Sequence, residues 1–253
     1  LQEIRLTADE YLAVAFESDL GCVRKNNEDS AGVFPGEDPA RGSLLVVADG
    51  MGGAAAGEVA SKTAVESVRE AYFRPDSGSS PAEALTNAVV AANEAIYRKA
   101  IEHTNLAGMG TTCTAVAVVG REISFAHVGD SRAYLASGGE LRQLTRDHSL
   151  AAEYERTGDG GAAAARAKNV LTRCLGVKPE VKVDGAEGAI SLPDDGTLVL
   201  CSDGLTNQVE DGEILHMVAM HLPEGACRRL VQLARERGGP DNITVVVARM
   251  TRG

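Results

Sequence analysis

Four short apolar runs in this chain each meet an aspartate at one end, and carboxylates repeated in that pattern are the residues most able to do chemistry. Leu44-Leu45-Val46-Val47-Ala48 closes on Asp49 and then on Gly50-Met51-Gly52-Gly53. Ser124-Phe125-Ala126-His127-Val128 leads through Gly129 to Asp130, and Thr197-Leu198-Val199-Leu200-Cys201 leads through Ser202 to Asp203. The fourth case is reversed, with Asp241-Asn242 preceding the run Ile243 to Ala248. A single Asp-Gly after an apolar run is an ordinary turn signal. Its repetition opens a second reading, in which several strand ends deliver carboxylates to one end of a sheet.

Like charges gathered at short range repel and raise one another's pKa, so a converged cluster persists only where a cation neutralises it. Oxygen-only ligands select hard divalent ions, magnesium, manganese or calcium, over zinc or copper. A second polar segment, Cys22-Val23-Arg24-Lys25-Asn26-Asn27-Glu28-Asp29, is densely functionalised. Its Arg24 has two readings: a surface ion pair with Glu28 or Asp29, which stabilises little, or a planar fork for an anion.

The elements that must position these groups can be read from periodicity. Residues 11–16 and 30–34 have the composition of strands and flank the polar segment. Between Gly57 and Phe73, Ala60, Ala64, Val68 and Ala71 recur at helical spacing. Ser80 with Pro81 and Glu83 forms a capping-box signature for a second helix ending near His103. From Thr112 the pattern becomes strands at 112–119, 122–128, 131–136 and 140–144 with tight turns between them, which implies antiparallel pairing. A helix is expected over 147–157, and the Gly- and Ala-rich stretch after it suggests a flap over 150–168. Helices near 211–220 and 224–237 precede a last strand from Ile243 to Met250. Strands separated by a helix pair predict a two-sheet sandwich with helices outside, built as one domain over residues 1–253.

Composition narrows the function classes. A formal net charge of -11 argues against a nucleic-acid module, which would carry basic patches. The five cysteines are scattered, with no close pairs, which points to a reducing compartment, and a cytoplasmic protein is expected. No apolar stretch approaches the ~20 residues of a membrane span. The absence of a Gly-x-Ser-x-Gly elbow, a Walker A loop and a His-Glu-x-x-His helix removes common hydrolase and nucleotide signatures. Paired carboxylates also suggest a glycosidase, but a chain with no tryptophan has little to stack on sugar rings.

Taken in order, Gly21 to Asp29, Val47 to Gly53, Gly110-Thr111-Thr112, His127 to Arg132, Asp147-His148-Ser149, Leu200 to Leu205 and Gly239 to Thr244 resemble the motifs of the protein phosphatase 2C (PPM) family in its bacterial form. The resemblance spans nearly the whole chain. It implies an α+β fold, a four-layer α-β-β-α sandwich of two antiparallel sheets flanked by helix pairs. It also implies hydrolysis of phosphoserine and phosphothreonine in proteins, by direct attack of water at a dinuclear manganese or magnesium site.

Carried over residue by residue, Asp49 resembles the carboxylate that bridges both ions, and Gly50 the residue whose backbone oxygen binds the second. Asp203 and Asp241 resemble ligands of the first ion, and Glu28 an outer-shell carboxylate acting through water. Asp130 resembles a ligand of a third, more weakly held ion, shared with Asp203, and Arg24 the guanidinium that holds the substrate phosphate. Two departures from the family pattern stand out. Met51 and Ala54 occupy positions where relatives carry a histidine, which leaves no side-chain general acid there. Ala165-Arg166-Ala167-Lys168 replaces a His-Pro-x-Arg group in the flap. The partners implied are phosphoprotein substrates, among them a bacterial serine/threonine kinase that the enzyme opposes, and a monomer is expected. The competing expectations are an inactive homologue that only binds phosphoproteins and a phosphatase of the partner-switching type.

Overall fold

The computed structural model describes residues 2–6, 10–52, 56–74, 78–158, 161, 167, 170–185, 188 and 190–252. One sheet has six strands in the order β1-β2-β13-β12-β8-β9: β1 Gln2–Arg5, β2 Glu10–Asp19, β13 Ile243–Arg252, β12 Thr197–Cys201, β8 Arg132–Ser137 and β9 Glu140–Gln143. The other has seven, with the path β10-β7-β6-β4-β3: β10 Asp184–Gly185, β7 Glu122–Val128, β6 Cys113–Val119, β4 Ser43–Met51 and β3 Asp29–Pro35. β11 (Ile190–Ser191) and β5 (Gly110–Thr111) attach to β7 and β4. Pairing is antiparallel throughout.

Alternation along β4 explains the layering. Leu44, Val46 and Ala48 point to one side and pack with Ala60, Ala64 and Val68 of α1 (Ala56–Tyr72) and with Leu85, Val89 and Ile96 of α2 (Pro81–Glu102). Leu45 and Val47 point to the other side and meet Leu198, Leu200 and Val246 of the facing sheet. A strand buried on both faces reads as an unbroken apolar run, which is why its sequence shows no alternation. The facing sheet is covered in turn by the helices Asp211–Met220 and Pro223–Glu236, through Ile214, Leu230 and Ala234 against Val199, Val245 and Val247. The result is the expected α-β-β-α sandwich.

The small side chains on α1 let its axis approach β4 and α2 closely, and α2 starts where the sequence indicates. Ser80 Oγ accepts from Glu83 N, Glu83 Oε2 accepts from Ser80 N, and Pro81 opens the helix. Such a cap stabilises a helix by about 1 kcal/mol. Two expectations shift. The helix expected over 147–157 is α3, Leu150–Thr157, because Ser149 caps it and residues 147–149 form a loop. Asp203 does not end a strand: β12 stops at Cys201, and Asp203 opens the short helix Asp203–Thr206. Of the expected flap, residues 159–160, 162–166 and 168 lie outside the described residues. Among the described residues no helix is long and apolar enough to cross a membrane.

Candidate metal centre

Register brings the chemistry to one end of both sheets. Asp29 at the start of β3 pairs with Asp49 near the end of β4, Cys113 at the start of β6 pairs with Val128 at the end of β7, and Arg132 pairs with Cys201, which pairs with Val245. The loops carrying Glu28, Gly50, Asp130, Asp203 and Asp241 therefore leave the sandwich at the same end.

Two of those loops interlock. Gly21, at φ 77°, lies so close to the Asp241 loop that an added Cβ would sit 2.1 Å from the Asp241 carbonyl oxygen, so only glycine fits there. Cys22 N donates to Gly239 O at 2.7 Å. Asn242 closes the joint: its Oδ1 accepts from Glu28 N at 2.8 Å, and its Nδ2 donates to Leu20 O and Asn26 O, each at 3.0 Å. The residue after Asp241 thus sets the path of the Arg24–Glu28 segment. The half-exposed Arg24 then lays Nη2 on Asp241 Oδ2 at 2.8 Å.

Beneath this rim lies a concentration of negative charge. Asp49 has a carboxyl raised well above the usual range, first by burial and then by the charges of Asp29, Asp203, Asp130 and Asp241. Asp203 is raised by burial and by the charge of Asp241, against the opposing pull of Asn207, whose Nδ2 donates to Asp203 Oδ2 at 3.0 Å. Asp130 is pushed up to about 7 by burial and by the charges of Asp203 and Asp147. Burial likewise raises Glu28, against the opposing pull of Arg24. Asp29, 7% exposed, accepts from Ser202 Oγ at 2.7 Å and is pushed up to about 7, mainly by burial.

The donors fit a hard divalent cation. They are all oxygen, they raise one another's pKa, and among the described residues two buried oxygens, Asp29 Oδ1 and Asp203 Oδ1, have no hydrogen-bond partner. A buried acceptor left without a donor is costly, and a bound cation would remove both that cost and the repulsion. Among the described residues no three carboxylate, imidazole or thiolate side chains stand at ligand spacing about one point. The carboxylates are gathered, but the cage is not closed in advance.

The sequence-derived set Glu28, Asp49, Gly50, Asp130, Asp203 and Asp241 is thus at one sheet end, with Arg24 at its rim. Arg24 pairs with Asp241, not with Glu28 or Asp29, the partners that chain proximity suggested. Asp29, Ser202 and Asn242 were not among the predicted site residues. Asp29 was legible as a carboxylate opening an apolar strand, but its pairing with Asp49 belongs to sheet register. Ala54, Ala165, Arg166 and Lys168 lie outside the described residues, while Met51 is half-buried at the end of β4.

Comparison with known proteins adds independent findings. Residues 14–243 match the family model described as protein phosphatase 2C. The chain is 39% identical over 240 residues to the serine/threonine phosphatase stp of Listeria innocua, covering 92% of this chain and 93% of that protein. It is 39% identical over 244 residues to the serine/threonine protein phosphatase PstP of Mycobacterium tuberculosis, covering 94% of this chain and 45% of that longer protein. Among solved structures, the catalytic domain of PstP in complex with two manganese ions superposes with a TM-score of 0.83 at 36% identity, covering 96% of this chain and 99% of that one.

Proposed function

The chain belongs to the protein phosphatase 2C family, and on that premise we propose that it is a metal-dependent protein serine/threonine phosphatase working at the sheet end that carries Asp49. The observation that carries the reading is the set of mutually repelling carboxylates around Asp49, with unpartnered buried oxygens beside it and a guanidinium at its rim.

Asp49, Asp203, Asp241 and the Gly50 backbone would hold a pair of manganese or magnesium ions, with Glu28 acting through water and Asp130 serving a third. When bound, these ions neutralise phosphoryl oxygens and lower the pKa of the attacking water. The chain's own contribution is orientation. Arg24 is half-exposed and tethered by its ion pair with Asp241, so it can exchange that carboxylate for two oxygens of a phosphomonoester. Such a planar fork fixes the phosphorus for in-line attack. Asn242 keeps the Arg24 loop in place while that exchange happens. No histidine stands at residue 51 or 54, so protonation of the leaving serine or threonine oxygen falls to solvent at the site.

The substrates we infer are phosphoserine and phosphothreonine proteins, among them a serine/threonine kinase, with the phosphatase acting as a monomer. All five cysteines are free thiols, which suits a reducing, cytoplasmic setting. An inactive phosphoprotein-binding homologue is disfavoured, because a chain without cations has no reason to retain the charge around Asp49. The deciding experiment is phosphopeptide turnover with manganese, with magnesium and in excess chelator. Turnover restricted to the metal-loaded protein supports the reading, and hydrolysis that persists in chelator overturns it.

A further inference from the structure

Asp147, His148 and Ser149 are not among the ligands assigned to the centre described above, yet each reaches a different neighbour beside it. Asp147 accepts from Arg132 Nη2 at 2.7 Å and from Gln143 Nε2 at 3.0 Å. Ser149 Oγ accepts from Ala152 N at 3.3 Å and caps α3. Between them, His148 grips one residue from both sides: its backbone N–H donates to Gly129 O at 2.7 Å, and its Nδ1 accepts from Gly129 N at 3.0 Å. Because Nδ1 accepts, the ring proton lies on Nε2, which donates to Asp184 Oδ2 at 3.0 Å. Asp184 is held by Arg173 Nη1 at 2.6 Å. Burial lowers the His148 pKa from its ordinary value, in keeping with a neutral ring.

Gly129 is the residue before Asp130. It sits at φ 115°, and an added Cβ would lie 2.5 Å from the Thr112 Cβ. The turn is therefore wedged between Thr112 on one side and His148 on the other. Thr112 also joins it to the main centre, since Thr112 Oγ1 accepts from Asp49 N at 2.9 Å and lies 2.7 Å from Ser131 Oγ. On the far side, His148 O accepts from Thr172 N and Leu150 N donates to Val170 O, both at 2.8 Å, which fastens the root of α3.

We propose that His148, held by Asp184, is a positioning residue that fixes the Gly129–Asp130 turn and ties the Asp130 carboxylate to the root of α3. A carboxylate that must meet a labile ion gains from a turn with little freedom, and His148 supplies that restraint through two bonds to a single residue, one from its buried imidazole and one from its backbone N–H. The catalytic value of the clamp rests on Asp130 being a metal ligand, but the clamp itself does not.

The test uses His148→Ala, His148→Asn and Asp130→Ala in the full chain, with amide hydrogen exchange of the chelator-treated protein as a readout independent of metal. His148→Ala removes the acceptor for Gly129 N. Its Gly129 and Ser131 amides are expected to exchange at least ~10-fold faster, and turnover to fall about 10-fold with more manganese needed to saturate it. The Oδ1 of His148→Asn falls where Nδ1 stood, so this variant should recover most of the protection and most of the turnover. Unchanged exchange in His148→Ala, or His148→Asn no better than His148→Ala, overturns the proposal. Should His148→Ala fail to fold, Asp184→Ala, which frees only the outer side of the ring, must speed the same two amides, and unaltered exchange there overturns the proposal equally. Failure of the metal reading looks different: Asp130→Ala would keep full turnover, and His148→Ala would speed exchange without slowing catalysis.

Discussion

Asp29 and Asp49 stand directly opposite each other across the β3–β4 ladder, with side chains on the face turned toward the second sheet, where Ser202 donates to Asp29. Like charges placed opposite each other on a ladder destabilise it, and here Asp29 is buried and Asp49 partly so. A fold that keeps this pair is organised for a cation, and Asp29 belongs to that arrangement although it was not a predicted ligand.

Asp29→Asn tests this directly. The amide oxygen can still accept from Ser202, so the fold is retained while one charge is lost. The metal-free variant is expected to melt higher by a few degrees, corresponding to ~1 kcal/mol, while manganese affinity and turnover fall at least ~10-fold, or ~1.4 kcal/mol. Calorimetric titration and thermal melting decide it: parent-like affinity together with a parent-like melting temperature would detach Asp29 from the centre.

The pH dependence follows from the same group. The Asp29 carboxyl is pushed up to about 7 from 3.8, so between those values the folded state binds more protons than the unfolded one. Stability from this source is fully present below about 4 and is lost as pH rises through about 7. Without metal, the parent should therefore lose stability relative to Asp29→Asn between about pH 4 and pH 7, and saturating manganese should abolish that difference. Parallel stability curves for the two metal-free proteins would contradict it.

Arg24→Ala is expected to leave manganese binding near the parent value and to raise KM for phosphopeptide about 10-fold, with a smaller fall in kcat. Removing the guanidinium also frees Asp241 from its ion pair with Arg24, so metal affinity should hold or rise. Arg24→Lys should recover only part of the loss, because an ammonium cannot present two parallel donors. Unchanged kinetics in the alanine variant would return Arg24 to an ordinary surface pair.

Asp49→Asn and Asp203→Asn should each cost at least ~100-fold in turnover, or ~2.7 kcal/mol, even at high manganese. Asp130→Ala should instead leave two tightly held ions in place and lower turnover without lowering the melting temperature. Metal titration read beside turnover separates the cases, and near-parent activity in Asp49→Asn would remove the assignment at its centre.

The chain's own order of residues was enough to determine the layers and the identity of the main carboxylates. β4 is an unbroken apolar run because both of its faces are buried, α2 carries its cap in Ser80 and Glu83, and Asp49, Asp130, Asp203 and Asp241 each mark the end of an apolar run. These are local features, set by periodicity, turn chemistry and capping, and they are written within a few residues of one another. What the tertiary structure alone decided is which distant groups face each other. Asp29 meets Asp49 through antiparallel register, Asn242 reaches back more than two hundred residues to hold the Arg24 loop, and Arg24 lies on Asp241. His148 finds Gly129 and Asp184 from a loop that periodicity alone assigned to a helix. Each of these contacts depends on strand pairing and loop packing between segments far apart in the chain, and side-chain type does not encode a neighbour that only the assembled sandwich supplies.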